Sequence, residues 1–414
     1  AMSKDLSDTE EAAPVKPPRR EGRASVARHA AYCVPQLALM FGLTMPIALL
    51  GALADDPELG LDTAAVNAAL ACGSMGRALG KLVNGISVDV FGARRFVGMI
   101  MLLSAGSACL FSMARGQATL VLAFGLLQYC SAGSWPAGCK IIESGFRKDE
   151  WELCFTFLAS CSRLGSMVAR LCLGAMLVTM SWRQIALVSA GALLLCWAFT
   201  VKVLLTQEHD VKDVRAKSSP KHSSKASPSS SGQPCHLQLE DVAEDDVPAG
   251  RATRIKRMLC NRGLQLQVCI VSAATCVMAL ENMSPMMLKD LTNLGNAEIG
   301  MYATLFPTGV LAGVLCSPQV YRLLRSPRAK LIFEVCLQLG SLCSVAVLGW
   351  LCSRPPHSMR PYCFLVALVG VAVGIAFSYY IKPGIHTLEF GEDCGVASSI
   401  LDGAGQLAAV CFQA

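Results

Sequence analysis

Basic side chains lie inside otherwise apolar segments of this sequence. Arg77 and Lys81 are four residues apart and Arg163 and Arg170 are seven apart, so each pair lies on one face of a helix. A charged side chain in mid-membrane costs at least about 2.5–3.5 kcal/mol and normally faces a watery cavity or a partner. Arginine binds carboxylate and phosphate groups through paired hydrogen bonds. Together with Lys140, these residues predict a binding cavity for a small anionic solute.

The position of Arg163 supports this interpretation. If its helix crosses the membrane from about residue 153, Arg163 lies ten residues, or about 15 Å, inside and therefore near the midplane. Carriers that work by alternating access hold their substrate at this depth. The alternative is that the basic side chains pair with acidic residues of another segment or extend to the membrane surface.

Three acidic residues are candidates for coupling or for ion pairs, namely Glu281, Glu334 and Asp402. Asp402 and Glu334 could each close a salt bridge in one conformation, and Glu281 could be a proton site. A structural role is the favoured alternative for each, because plain ion pairs also perturb carboxylates.

A short turn combines a carboxylate with two guanidinium groups in the pattern Gly85-x3-Asp89-x2-Gly92-x-Arg94-Arg95. Such groups can pair across helices and hold one face of a protein shut until substrate binds. We therefore predict a gate formed by Asp89, Arg94 and Arg95. The alternative is that the arginines only orient the chain in the membrane while the aspartate caps a helix.

No pattern in the sequence indicates a cofactor, a metal or catalysis. The glycine pattern at Gly403 imitates a dinucleotide loop but follows no strand, and the one at Gly76 has Leu82 where a magnesium-binding hydroxyl is required. Cysteine and histidine do not occur at zinc spacing. We expect no enzyme, no catalytic residue, no metal site and no cofactor.

The segments that carry these residues are membrane spans. Hydrophobic residues make up 53% of the chain and charged residues 16%, and the mean hydropathy is +0.47. Apolar blocks approach the roughly 20 residues that cross a bilayer as a helix. We predict eleven spans, at 31–54, 63–86, 95–113, 117–142, 153–178, 183–205, 264–287, 298–320, 329–352, 361–383 and 394–414.

Loop charges orient these spans. The net charge of +6 arises mostly from the tails and from alternate short loops, while the loop at Asp56 and Glu58 is acidic. Because basic loops stay in the cytosol, we expect a multi-pass protein with a cytosolic N-terminus. This use of positive charge also argues against nucleic acid as a partner.

The chain divides into a cytosolic disordered tail (1–30), a six-helix bundle (31–205), a Ser- and Lys-rich disordered linker (206–262) and a second bundle (263–414). Gly76 and Gly80 in span two have counterparts in Gly309 and Gly313 of span eight, which indicates a duplicated bundle. The second bundle contains five spans, so we expect a twelfth span in the natural protein.

These motifs resemble a known family. The gate pattern resembles the signature loop of the major facilitator superfamily, with Val90 in place of its usual arginine. The resemblance implies an all-α, polytopic fold of two six-helix bundles. Three further segments are similar to the organophosphate:phosphate antiporter branch, which includes glycerol-3-phosphate and sugar-phosphate carriers. They are Gln128-x4-Gly133-x-Trp135-Pro136-x3-Lys140, Phe146-Arg147-Lys148-Asp149-Glu150 and Ser181-Trp182-Arg183.

The resemblance has one important departure. The branch grips phosphate with one arginine in the first span and one in the seventh. Here the first span is uncharged from Ala31 to Ala54, and Val277 stands at the second position.

The sequence therefore predicts a secondary transporter of a small anionic organic solute, with organophosphate/phosphate exchange favoured. The alternatives are a carrier of monocarboxylates or other organic anions, and a transport-dead receptor or scaffold. The expected partners are the solute and the lipid bilayer, and we expect a monomer.

Overall fold

The computed structural model describes residues 21–54, 56–61, 63–218, 251–292, 294, 296–353 and 361–413. Within these ranges the chain consists of helices and turns, without a strand, as expected where lipid leaves backbone groups no partner but their own helix. The helices are α1 (Glu21–Ala48), α2 (Leu50–Ala54), α3 (Thr63–Phe91), α4 (Ala93–Ser112), α5 (Gln117–Ser131), α6 (Ser134–Gly145), α7 (Trp151–Met176), α8 (Trp182–Ser218), α9 (Arg251–Leu259), α10 (Arg262–Met278), α11 (Leu280–Leu291), α12 (Asn296–Ala303), α13 (Leu305–Leu323), α14 (Pro327–Cys352), α15 (Pro361–Ala376), α16 (Lys382–Leu388) and α17 (Cys394–Gln413).

Eight segments of the described chain are long and apolar enough to cross a membrane. The predicted spans that fall outside this set correspond to α3, to α5 with α6, and to α7. These three carry the basic residues of the predicted site, namely Arg77, Lys81, Lys140, Arg163 and Arg170. The chain is therefore an all-α, multi-pass membrane protein whose most polar spans carry the candidate site.

The helix boundaries differ from the predicted domain boundaries at three places. Helix α1 already begins at Glu21, inside the predicted tail, and α8 continues beyond residue 205 to Ser218. Helix α9 occupies 251–259, inside the predicted linker. Neither 206–218 nor 251–259 contains a glycine or proline that would end a helix. The remainder of the predicted tail (1–20) and linker (219–250) lies outside the described residues.

Several spans are interrupted where they pass the centre of the molecule. The fourth span breaks between α5 and α6 at Ala132 and Gly133, and the seventh breaks between α10 and α11 at Ala279. In the tenth span a π-helical turn, Phe377–Ile381, separates α15 from α16. Ala132, Ala279 and the π-helical turn all line a central cavity, as broken helices do in carriers.

The two halves repeat one packing contact. A Cβ atom on Gly76 of α3 would lie 2.4 Å from the carbonyl oxygen of Gly125 on α5. A Cβ atom on Gly313 of α13 would lie 2.7 Å from the carbonyl oxygen of Val373 on α15. In each half, the second and fourth spans thus approach each other closely at a glycine of the second span, as the repeated glycine pairs predict.

The halves pack along α3 with α17 and along α7 with α13. We call the end of the bundle that carries the α3–α4, α6–α7 and α13–α14 turns the basic face, because Arg94, Arg147 and Arg325 lie there. The other end, with the 56–61 loop, is called the opposite face. One apolar core joins both halves and includes Phe155 and Phe306.

Candidate substrate-binding site

The central cavity consists of two adjoining chambers of about 50 and 70 Å³. Arg77, Arg163, Tyr379, Tyr380 and Gln406 line both. The smaller is called the Glu281 chamber and also contacts Ser74, Thr275, Met278, Ala279, Asn282 and Ala409. The larger is called the Asp402 chamber and also contacts Gln36, Met40, Leu43, Lys81, Ser131, Ala132, Ser134, Trp135 and Ser162. Most side chains that line the cavity are polar or charged.

An amide, not a carboxylate, positions Arg77 in this cavity. Its Nε and Nη2 atoms donate to Gln128 Oε1 at 3.0 and 2.7 Å. Gln128 is itself oriented by donating from Nε2 to the carbonyl oxygen of Leu43 at 2.9 Å. No carboxylate of the described residues lies within 4 Å of the Arg77 guanidinium. Arg77 therefore presents its positive charge to the cavity without a carboxylate in direct contact among the described residues, and arginine does not lose its proton.

Arg163 and Arg170 share one carboxylate of the other half. Arg163 Nη1 lies 2.6 Å from Glu281 Oε2, and Arg170 Nη2 lies 3.3 Å from Glu281 Oε1. The three side chains are between 3% and 11% exposed. Arg163 also lies over the ring of Tyr380, with its Cζ atom 5.2 Å from the ring centroid. This buried group joins α7 to α11 and carries one positive charge in excess.

A second ion pair crosses between the halves in the Asp402 chamber. Lys81 Nζ on α3 lies 2.5 Å from Asp402 Oδ2 on α17. The pairing alternative is therefore what the structure shows for Lys81, Arg163 and Arg170. Four basic side chains (Arg77, Lys81, Arg163 and Arg170) oppose two acidic ones (Glu281 and Asp402), so two positive charges remain.

Three of the predicted binding and coupling residues do not line the cavity, namely Arg170, Lys140 and Glu334. Lys140 pairs with Glu143 at 3.4 Å and approaches the carbonyl oxygen of Gly391 at 3.4 Å, at the basic face. It lies on the same helix as Ser134 and Trp135, which do line the Asp402 chamber. Glu334 pairs with Lys382 beside a different pocket. Neither residue lines the two chambers.

The predicted gate residues are not brought together. Asp89, at the end of α3, accepts a 3.1 Å hydrogen bond from the backbone N–H of Val396 in the first turn of α17. Arg94 and Arg95 begin the next helix and are exposed, without a carboxylate within 4 Å in the described part of the chain. The expected pairing of Asp89 with these arginines is thus absent in this conformation. Asp89 instead contacts the other half as a helix-capping carboxylate.

Sequence reasoning missed the uncharged polar side chains of the site. Gln36 and Gln406 are buried amides within apolar spans, and Tyr379 and Tyr380 lie in the π-helical turn. Amides inside an apolar span are themselves a signal, because an unpartnered amide in lipid is unfavourable. The π-helical turn has no comparable sequence pattern.

The fold and the cavity define a polytopic membrane protein with a polar cavity between two helical halves. The family model of the Major Facilitator Superfamily matches residues 36–409, and the chain belongs to this superfamily. It is therefore a secondary transporter and not an enzyme. No curated protein matches the sequence.

Proposed function

We propose that this transporter carries a small organic anion by alternating access, with exchange of an organophosphate for phosphate as the favoured mode. The observation that carries the proposal is Arg77, a cavity-lining guanidinium held by Gln128 and not by a carboxylate. An anion that enters the cavity meets a charge that no protein group neutralises at close range. Two parallel hydrogen bonds from arginine to carboxylate or phosphate would hold it.

Two further atoms support a polar ligand in the Asp402 chamber. Arg163 Nε and Gln36 Oε1 are buried, and neither has a hydrogen-bond partner among the described residues. Both residues line this chamber. A buried donor or acceptor without a partner costs about 1–3 kcal/mol, and a ligand that satisfies it recovers that cost. An anion with a hydroxyl group, such as a phosphorylated polyol, would satisfy both the donor and the acceptor.

The ion pairs supply a mechanism for exchange. Glu281 and Asp402 belong to the second half, whereas Arg163 and Lys81 belong to the first. A bound anion competes with these carboxylates for the same cations, and so weakens the links between the halves. An empty carrier keeps the links, which favours obligatory exchange over leakage.

Counterflow in proteoliposomes tests the proposal. Vesicles are loaded with phosphate, glycerol-3-phosphate, a sugar phosphate or lactate, and uptake of the labelled solute is measured for the wild type and for Arg77→Gln. Loss of a charge-assisted hydrogen bond of about 1.5–3 kcal/mol predicts an affinity that is about 10- to 100-fold weaker. Arg115→Gln is the matched control, because Arg115 is exposed in a loop at the opposite face.

The solutes distinguish the candidate functions. Exchange of phosphate and its esters that depends on Arg77 supports the organophosphate reading. Exchange of lactate alone would instead indicate a carrier of monocarboxylates. A protein that binds these anions but exchanges none of them would be a transport-dead receptor, and the proposal would then be rejected.

A further inference from the structure

A second polar pocket lies at the basic face, outside the substrate cavity. Its volume is about 280 Å³, and it lies between the end of α13, the start of α14 and the start of α16. Tyr321, Arg325, Lys330, Glu334 and Lys382 supply its polar lining. None of these residues lines the two central chambers. The pocket therefore requires an explanation other than the transported solute.

The pocket carries more positive than negative charge. Lys382 is paired with Glu334, whereas neither Arg325 nor Lys330 has a carboxylate within 4 Å in the described part of the chain. Both ammonium groups lie near the ring of Tyr321, with Lys330 Nζ at 4.7 Å and Lys382 Nζ at 5.9 Å from its centroid. Two unpaired cations around one opening form a receptor for an anion, and a phosphate group fits the mixed Arg and Lys lining.

The surroundings of the pocket are apolar and exposed. Only 11% of the apolar window of α14 is buried against the rest of the protein. Leu331, which lines the pocket, and Ile332 beside it are each 62% exposed, and Leu323 at the end of α13 is 79% exposed. The cations thus stand at the boundary where an apolar helix surface begins. A ligand that fills this place needs an anionic head and an apolar body.

We propose that this pocket binds the phosphorylated headgroup of an anionic membrane lipid. The phosphate contacts Arg325 and Lys330, and the acyl chains lie along the exposed side of α14 near Leu331. Basic pockets between membrane helices on the cytosolic side recognise such headgroups, and each basic residue near the surface strengthens binding about fivefold. Salt screening reduces this gain. The basic face is the face that the loop charges place in the cytosol.

The competing explanation is that these cations only anchor the protein at the interface. Arg328 separates the two explanations, because it lies in the same turn and is exposed but does not line the pocket. Anchoring depends on the net charge of the basic face, so replacing Arg328 would weaken lipid binding as much as replacing Arg325. Recognition by the pocket depends on the position of each cation, so replacing Arg328 would leave lipid binding unchanged.

The test is native mass spectrometry of the purified full chain in neutral detergent, titrated with phosphatidylinositol 4-phosphate or phosphatidylcholine. The variants are Arg325→Gln with Lys330→Gln, the charge-preserving Lys330→Arg, and the control Arg328→Gln. Water-soluble inositol 1,4-bisphosphate serves as a competitor at equal concentration. Thermal unfolding of each variant establishes that it is folded before binding is compared.

We expect the wild type to bind the phosphoinositide in preference to phosphatidylcholine. The double variant should bind it at least about tenfold more weakly, while Lys330→Arg and Arg328→Gln keep wild-type binding. Equal binding by the double variant, or an equal loss in Arg328→Gln, would overturn the proposal. Displacement by the soluble headgroup at equal concentration would also overturn it, because the site would then recognise a free phosphate ester and not a lipid.

Discussion

Glu281 of α11 accepts a 2.6 Å hydrogen bond from Arg163 of α7, so a carboxylate of the second half neutralises a cavity arginine of the first. Arg170 approaches the other oxygen of the same carboxylate at 3.3 Å. Ion groups of this kind add little to stability as a whole, because burying the charges offsets their attraction. Removing one member is different, since it leaves its partners buried and uncompensated.

Glu281→Gln is therefore expected to destabilise the protein by about 3–5 kcal/mol, as for other broken buried pairs. Thermal unfolding in detergent measures the effect. Glu58→Gln is the control: Glu58 pairs with Arg183 at 3.0 Å, but its side chain is 72% exposed, and such pairs contribute about 1 kcal/mol or less. An unfolding temperature of Glu281→Gln equal to that of the wild type would show that the carboxylate does not neutralise the arginines.

Asp89→Ala is expected to loosen the closure of the basic face. The variant loses the acceptor for the Val396 N–H, so the first turn of α17 separates more often from α3. Cys394 in that turn and Cys139 on α6 are buried, which makes them reporters. Labelling by a water-soluble maleimide, resolved by peptide mass spectrometry, should be faster at both cysteines than in the wild type.

Asp149→Ala is the control for this experiment, because Asp149 is an exposed residue that pairs with the exposed Arg147 in the same turn. Unchanged labelling of Cys394 and Cys139 in Asp89→Ala would contradict a role of Asp89 in closing this face.

Acidification is expected to weaken the opposite face through Asp56. Burial by itself would raise the pKa of this carboxyl, but hydrogen bonds from Trp182 Nε1 at 2.5 Å and from the backbone of Glu58 at 2.9 Å, with the charge of Arg183, lower it below its usual range. A lowered folded-state pKa gives stability that is present above the unfolded pKa of about 3.9 and is lost as the pH falls through the folded value.

Asp56→Asn should therefore unfold at a lower temperature than the wild type at pH 7, and the gap should narrow below about pH 4. Thermal unfolding between pH 7 and pH 3 measures it, with Asp149→Asn as the control. If the difference in unfolding temperature between Asp56→Asn and the wild type widened on acidification, the pKa of Asp56 in the folded protein would be raised and not lowered.

Gly80→Ala is expected to destabilise the first half. A Cβ atom there would lie 2.4 Å from the carbonyl oxygen of Tyr129, which is backbone and cannot rotate away. Overpacking of this kind typically costs about 1–3 kcal/mol. Gly106→Ala is the matched control, since its added Cβ meets no atom within 4 Å and alanine favours a helix. Equal unfolding temperatures for the two variants would refute the close approach of α3 and α5.

The parts of this structure that follow from local sequence were predictable. Span positions depend on runs of apolar residues, and Arg77 and Arg163 face the cavity because a charge in lipid is unfavourable wherever the chain later packs. The partner of Arg163 was not predictable, because Glu281 lies 118 residues away and the contact depends on how the two halves pack.

The contact made by the predicted gate residue Asp89 also could not be predicted from local sequence. The turn at Gly92, with its positive φ of 82°, was marked by the glycine, but the pattern did not reveal that Asp89 contacts α17 of the other half. Lys140 was predicted from its charge and from the motif that it ends, near the cytosolic end of the fourth span. Its pairing with Glu143 at the basic face was not predicted.

The most direct test of an anion site at Arg77 is ligand-induced stabilisation with matched pairs of solutes. Purified wild type and Arg77→Gln are heated with glycerol-3-phosphate or glycerol, and with a sugar phosphate or the free sugar. A ligand at 100 times its Kd stabilises the folded state by about 2.7 kcal/mol. We predict that only the phosphorylated member of each pair raises the unfolding temperature, and only in the wild type. Equal stabilisation by the neutral members, or full stabilisation of Arg77→Gln, would contradict the proposed site.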